Sequence, residues 1–479
     1  MGNIETKLKI GLIWSLLGKF GNFFITFISN IILVRLLAPE DFGIIAIVLF
    51  FTLIATVLSE GGMAGALIRK DSVTEKDYST LFIFNFIVSV FVYLLLFCTA
   101  PFIAYFYEKP NLLLILQVMS LVVIINALRI VQTTRLYREI SYKEVNIYQF
   151  ISICIASVIA IFIAYRGYGV WALVAQQLII SIVFTMILWV KGKGVESFRF
   201  SRRSFLDIYQ FGIYTTLASL LNTIFDNIYQ LILGKNFSLS QSGYYYQGKK
   251  IQELPLEFLK SITLGVVFSA LSRLQDEKKA FDKLYNKIHI LFSLLIGLIT
   301  VLLLAFPKEI LLLLFGEKWL GSAIYIQLLS IASFFYMQEM LNRVLFKVFN
   351  QAKKIFQLEL FKKIIQAITI VIGVYFSDIF ILLCGLVFSN LFGYLLNIIV
   401  IKSFYQSSKG KWHELYISLY IAFVVGFVFV VYEFLLKNEL SFEYINLYYF
   451  PVLVLLFFIL SMSAKSIRSV VLETVRRKV

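Results

Sequence analysis

The sequence predicts an all-α polytopic membrane protein of about fourteen transmembrane helices. They form two six-helix lobes, related by a pseudo-twofold along the membrane normal, plus two C-terminal helices. Three observations carry this expectation: apolar runs of spanning length recur along the chain, basic residues alternate in density between successive loops, and the second half repeats a pattern of the first.

Of the 479 residues, 60% are hydrophobic and 15% charged, against roughly 45–50% and about 25% in soluble domains. A run of about 20 apolar residues is long enough to cross the hydrocarbon core. Such runs fall at 11–34, 43–67, 79–106, 112–132, 146–165, 170–190, 208–234, 247–272, 286–306, 322–345, 358–376, 379–401, 414–435 and 446–464. The first is too long for a cleavable signal and has no small-residue cleavage site after it, so it is taken as a span.

A formal net charge of +16 invites a nucleic-acid partner, but the placement of the charge argues against one. With fourteen spans and an internal N-terminus, the cytoplasmic segments and the span ends next to them hold 33 Lys and Arg, the opposite side holds 9, and Lys19 and Lys260 lie within spans. This is the positive-inside bias. It puts both termini in the cytoplasm and leaves membrane lipids as the partners of the basic residues. Cys98, Cys154 and Cys384 stand singly in apolar runs and read as small buried hydrophobes. His289 and His413 are isolated. Neither a disulfide, a metal site nor a cofactor is expected.

Residues 30–43 read NIILVRLLAPEDFG, and 230–243 read QLILGKNFSLSQSG. In each an apolar run ends in a basic residue, Arg35 or Lys235, and a glycine follows eight positions on, Gly43 or Gly243. Asn22 aligns with Asn222 and Ile28 with Ile228; further on, Gly61 and Arg69 match Gly265 and Arg273. Six spans is an even number, so both copies enter from the same side, as in alternating-access transporters built from parallel repeats. The expected organisation is a first lobe at 1–190, a cytoplasmic linker at 191–207, a second lobe at 208–402, and two extra spans with a basic tail at 403–479.

The stretches RLLAPEDFG (35–43), GYGVWALVAQQL (167–178), DNIYQLILGK (226–235), GYYYQ (243–247) and GEKW (316–319) resemble the polysaccharide-transporter family. These are the Wzx-type flippases, in the superfamily that also holds multidrug exporters and the lipid II flippase. The resemblance covers the first twelve spans. It implies two six-helix bundles around a central cavity in the bacterial cytoplasmic (inner) membrane. It also implies a substrate, an oligosaccharide repeat unit on undecaprenyl diphosphate, turned from the inner to the outer leaflet. Coupling to a proton or sodium ion is implied as well, with a polysaccharide polymerase and a chain-length regulator as further candidate partners.

A diphosphate cannot cross hydrocarbon unaided, and intramembrane charges are costly unless they pair or face water. Lys19 and Lys260 lie deep in the first and eighth spans and are candidates for the diphosphate, with Asn22, Asn222 and Asn227 for sugar hydroxyls. Glu60 and Asp226 are candidates for the coupling cation. The competing expectation is two structural salt bridges, Lys19–Glu60 and Asp226–Lys260. Glu253, Glu257 and Lys260 share a helix face around Pro255, which suits a kinked gate. Arg129, Arg135 and Arg138 could recruit the headgroup, although positive-inside topology alone accounts for them. Glu339, Arg343 and Lys347 read as a solvated helix end, and Tyr244, Tyr245 and Tyr246 as an interfacial aromatic belt.

Glu40 and Asp41 raise the possibility of a membrane glycosyltransferase, polymerase or ligase. The pair sits in a tight PEDFG turn, where capping the second helix explains it more cheaply, and no large loop is present to hold an acceptor. A non-enzymatic transporter is expected. A small-molecule cation antiporter of the same superfamily is the alternative, since a shared fold does not decide between substrates.

Overall fold

The computed structural model describes residues 2–196, 198–405, 412–438 and 449–476. Among them every regular element is helical, and the chain falls into two compact units, Met1–Tyr246 and Gln247–Val479.

The first unit begins with α1 (Gly2–Leu36), α2 (Pro39–Glu60), α3 (Met63–Arg69) and α4 (Glu75–Phe106). It continues through α5 (Asn111–Met119), α6 (Leu121–Leu128), α7 (Ile130–Arg138), α8 (Tyr142–Tyr165), α9 (Trp171–Lys191) and α10 (Arg202–Asn236), and ends in the first two turns of α11 (Leu239–Ile262). Starts and stops follow local chemistry. Pro39 opens α2 with its fixed φ. Asp41, three residues after Ala38, accepts the Ala38 backbone N–H at 3.0 Å, so the PEDFG turn is the helix cap its sequence suggests. Gly61 and Gly62, at φ +55° and +63°, end α2 and restart the chain as α3. Glycine tolerates that left-handed backbone without a Cβ penalty. Within the unit α1 packs on α8, α8 on α9, α2 on both α4 and α10, and α3 on α10.

The second unit holds the rest of α11 and a π-helical turn at Thr263–Val267, followed by α12 (Phe268–Ser272), α13 (Lys278–Ala305) and α14 (Pro307–Leu314). Then come α15 (Ala323–Val348), α16 (Ala352–Tyr375), α17 (Ile379–Ile401), α18 (His413–Asn438), α19 (Tyr449–Ser463) and α20 (Lys465–Arg476). Pro255 and the π turn interrupt the hydrogen-bond ladder of one long segment, the kind of irregularity that bends helices. α15 packs on α17, α16 on α17 and α13 on α15, while α18 lies along α13. At Gly297 of α13 a methyl group would sit 2.7 Å from Ile421 of α18 and 3.1 Å from Phe457 of α19. That glycine therefore lets the two C-terminal helices dock into the second unit's core.

Over their described residues the apolar runs fall on helices, and fewer than fourteen of those helices pass as membrane spans by length and composition alone. Among the described residues eleven helices are long and apolar enough to cross a membrane, or twelve if α19 and α20, bent by 110°, form one broken span. α16 is long enough but carries Glu359, Lys362 and Lys363 in its apolar stretch, while α10, uncharged from 208 to 225, is held back by polar residues such as Gln210 and Asn222. The cysteine expectation also needs correction at one position: Cys98 is exposed on the surface of α4.

Candidate functional site

In the first unit, chemistry collects where α2 breaks. Glu60 is the last residue of α2, and with Val57, Gly62, Gly65, Thr215, Thr216 and Ser219 it lines an open cavity of about 260 Å³. The glycines make this meeting possible. A methyl on Gly62 would overlap the Thr215 hydroxyl and approach the Gly212 carbonyl oxygen at 2.5 Å; a methyl on Gly212 would overlap the Gly61 carbonyl oxygen. The Thr215 and Thr216 hydroxyls donate to Gly212 O at 2.8 and 2.9 Å. A carboxylate, hydroxyls and backbone carbonyls from two helices thus converge beside a helix C-terminus, the negative end of its dipole.

The three candidate arginines divide into different roles. Arg138 donates to the carbonyls of Leu67 at 2.8 Å and Asp71 at 2.8 Å, and also to those of Ile68 and Lys70. It is a clamp on the end of α3. Arg135 pairs with Glu75 at 2.6 Å and lies 3.9 Å from the Tyr78 ring centre. Arg129, at the α6–α7 junction, stacks 4.6 Å from the Phe184 ring, and its Nη1 is buried without a hydrogen-bond partner. Asn126 Oδ1 and Gln132 Oε1, each three residues away, are buried without partners too. A cationic N–H and two amide oxygens left open within an apolar bundle cost free energy, and ligand-binding sites are where such costs are usually carried.

The expected Lys19–Glu60 salt bridge is absent. Among the described residues no carboxylate lies within 4 Å of Lys19, which is exposed on α1. Asn22 is half-buried with its Oδ1 unbonded. On α10, Asn222 and Asp226 are exposed. Asn227 donates to Thr223 O at 2.9 Å and accepts from Gln230 at 3.0 Å, which satisfies much of its capacity locally. The tyrosine belt is corrected in part: Tyr245 is buried and stacks on Tyr229 at 6.1 Å, so it belongs to the core.

In the second unit Lys260 pairs with Glu257 at 2.6 Å, and Lys249 approaches Glu253 at 3.8 Å. The stripe on α11 is therefore a set of local i,i+3 and i,i+4 pairs. Lys260 Nζ also lies 5.6 Å from the Tyr336 ring centre, with Lys362 Nζ at 5.0 Å from the same ring. This ring leads to a network that the sequence reading missed. Glu339, taken as part of a solvated helix end, is 1% exposed. It accepts from Lys362 at 2.6 Å and from Arg343, which also pairs with Glu359; Lys363 lies 3.6 Å from Glu359. Two acids and three bases are thus buried or half-buried between α15 and α16. Gly393 of α17 gives them room: a methyl there would lie 2.9 Å from the Lys362 side chain and 3.0 Å from the Glu339 carboxylate. The available signal was the pairing of a 339–343–347 stripe with a lysine-rich eleventh run.

Residues 32–324 match the model of a family described as polysaccharide biosynthesis protein. Among curated relatives, the chain is 24% identical over 306 residues to the succinoglycan biosynthesis transport protein ExoT of Rhizobium meliloti, covering 64% of this chain and 62% of that one. It is 23% identical to the lipopolysaccharide biosynthesis protein WzxC of Escherichia coli, over 69% of this chain and 67% of that one. It is 24% identical to the teichuronic acid biosynthesis protein TuaB of Bacillus subtilis, over 58% of each chain. The match spans less than two thirds of ExoT and of TuaB. Among solved structures, the fold is similar to the lipid II flippase MurJ in an inward closed conformation. The TM-score is 0.74 at 14% identity, with 94% of this chain and 98% of that chain covered. An inward-facing multidrug resistance MATE family transporter of the MOP superfamily aligns with a TM-score of 0.60 at 16% identity, over 80% of this chain and 94% of that one.

Proposed function

Because the chain belongs to the polysaccharide biosynthesis protein family, we propose that it is a flippase of the bacterial cytoplasmic membrane. It would carry an undecaprenyl-diphosphate-linked oligosaccharide repeat unit from the inner to the outer leaflet by alternating access. Family membership carries the proposal. The names of its relatives, transport of succinoglycan and biosynthesis of lipopolysaccharide among them, and the MurJ-like fold support a lipid-linked saccharide as substrate.

The buried, unpartnered guanidinium N–H of Arg129 supports a binding role for the diphosphate, and so does the cationic surplus around Lys260 and Lys362. Lys19, exposed on the least hydrophobic of the early helices, fits a first contact with the headgroup. Asn22, Asn222 and Asn227 fit sugar recognition. The excess of basic residues on one set of loops supports cytoplasmic termini. The two repeats at 1–190 and 208–402 support a moving pair of lobes.

Leaflet distribution tests the proposal. In a strain lacking the gene, an impermeant sugar-cleaving enzyme would be applied to right-side-out and inverted vesicles. Accumulation of the lipid-linked repeat unit on the cytoplasmic face is expected. Arg129→Ala and Lys260→Ala are expected to reproduce it in part. Repeat units stranded on the outer face would instead place the protein after flipping, at polymerisation or ligation.

A further inference from the structure

At one end of the first unit, α2, α4 and α10 enclose an apolar cleft with a charged mouth. We infer that this cleft holds one resident anionic phospholipid, with an acyl chain between the helices and its phosphodiester at Lys109 and Lys235. The lipid is a partner of the protein and not its transported substrate, so the site does not depend on the flippase reading.

The cleft has a volume of about 570 Å³, within the ~300–1,000 Å³ of ligand pockets. Two helix stripes of the same spacing line it, positions 99, 102, 103 and 106 of α4 and positions 228, 231, 232 and 235 of α10. Residues so spaced share one face of a helix. Phe50 and Phe51 of α2 complete the lining. The two stripes are tied together near their ends, where the Tyr107 hydroxyl donates to Leu231 O at 3.4 Å and Lys235 pairs with Glu108 at 2.9 Å. Pro101 has no N–H to give the Phe97 carbonyl, and Gln117 of α5 donates to that oxygen at 3.5 Å instead. The last turns of α4, which carry the aromatic wall, are thereby fixed to α5. Phe102 nevertheless stays 75% exposed. An empty apolar cleft forfeits dispersion contacts, and a hydrocarbon chain restores them without burying a polar group.

The mouth selects the headgroup. A second cavity of about 860 Å³ adjoins the first, and Phe102, Phe106 and Lys235 line both. It adds Glu108, Lys109 and Pro110, so an apolar lining passes into a charged rim, as a lipid passes from chain to headgroup. An ammonium has three N–H donors. Lys235 gives one to Glu108 and lies 5.0 Å from the Phe106 ring centre, which leaves donors for a phosphate. Lys109 is exposed at the rim. Two lysines and one glutamate leave one net positive charge, which matches a single phosphodiester and falls short of a diphosphate. α4 and α10 both end here, away from the basic loops, so the proposed orientation places the lipid in the outer leaflet.

The test is native mass spectrometry of the delipidated full-length protein, titrated with phosphatidylglycerol, phosphatidylethanolamine or undecaprenyl diphosphate. One phosphatidylglycerol is expected to bind about tenfold more tightly than phosphatidylethanolamine and to raise Tm. Lys235→Gln and Lys109→Gln should each weaken that binding by about tenfold, the loss of one charge-assisted hydrogen bond. Glu108→Gln should tighten it, because Lys235 is released from a competing acid. Ile232→Trp fills the cleft and should abolish it. Circular dichroism checks each variant, and Lys109→Gln carries the test if Lys235→Gln fails to fold. Equal binding of the two phospholipids, or unchanged phosphatidylglycerol binding in Lys109→Gln, would overturn the proposal. Tighter binding of undecaprenyl diphosphate that is lost in Ile232→Trp would also overturn it and make the cleft part of the transport path. Export is not measured, so failure here is distinct from failure of the flippase reading.

Discussion

Gly43 sits directly against the Leu239 carbonyl, and 200 residues on, Gly243 sits directly against the Pro39 carbonyl. A methyl group on either glycine would overlap that oxygen. Pro39 and Leu239 occupy equivalent positions of the repeat, as do Gly43 and Gly243. The contact is therefore reciprocal, as at a twofold axis. Glu40 and Ser240, also an equivalent pair, meet across it at 3.4 Å. The glycine that closes each copy of the repeated stretch is there because two helix starts cross at backbone distance.

Gly43→Ala and Gly243→Ala are each expected to push α2 and α11 apart, at a cost of about 1–3 kcal/mol typical of overpacking. Surface polysaccharide should fall with them. Gly426→Ala is the control, because a methyl there meets nothing within 4 Å. In a helix it should stabilise by about 0.5–1 kcal/mol. Unfolding temperatures of the three variants check the contrast.

Glu339→Gln should destabilise the second unit by about 3–5 kcal/mol, because it leaves Lys362 as a buried base that has lost its partner. Glu339→Gln combined with Lys362→Met removes both charges and should recover most of that loss. A double-mutant cycle on thermal stability measures the coupling; additive effects would mean that the two side chains do not interact.

Arg138 and Arg129 should separate stability from transport. Arg138→Ala strips a charged donor from four carbonyls and should cost about 1.5–3 kcal/mol. Lysine should restore little, because it lacks the planar fork that spans several acceptors. Arg129→Ala removes a charge without a hydrogen-bonded partner at Nη1, so it should leave Tm nearly unchanged while lowering export. Parallel Tm and export measurements on the three variants decide it.

Glu108 accepts a hydrogen bond from Lys235 at 2.9 Å. That bond, together with the lysine's charge, holds the carboxyl below its ordinary value of 4.5. A depressed carboxylate stabilises at pH above its unfolded value and loses that contribution as pH falls through the lowered folded value. The Tm difference between wild type and Glu108→Gln should be constant near neutrality and vanish only below the ordinary glutamate range. A difference that is already lost near pH 6 would rule out the pairing.

Much of the architecture was legible. The apolar runs are helical over their described residues, the PEDFG turn caps α2 through Asp41 as its sequence suggests, and the repeated stretch marks a close crossing. Fewer than fourteen helices pass as spans by length and composition among the described residues, because some apolar runs hold charged or polar side chains. α16 carries Glu359, Lys362 and Lys363 near its middle, and α10 carries Gln210 and Asn222 within its uncharged stretch. The candidate site was legible only in fragments. Glu60 stood out as a charge in an apolar run, and Arg129 only as one of a basic cluster that topology accounts for. The hydroxyl neighbours of Glu60 on α10 did not stand out, since threonine and serine in a membrane helix commonly bond to their own backbone.

The sequence by itself determined that the chain is helical, that it lies in a membrane and that it contains two related copies of one pattern. Each of these is a sum over neighbouring residues: apolar length, basic density, recurrence at a fixed offset. Tertiary structure alone decided which charges are satisfied and which are open. Glu339 is buried because α16 brings Lys362 to it, Arg138 is consumed by the end of α3, and Arg129 keeps an unbonded Nη1 over the Phe184 ring at the α6–α7 junction. A side chain's partner depends on the rotation and crossing point of helices distant in the chain, and local hydropathy carries no record of either.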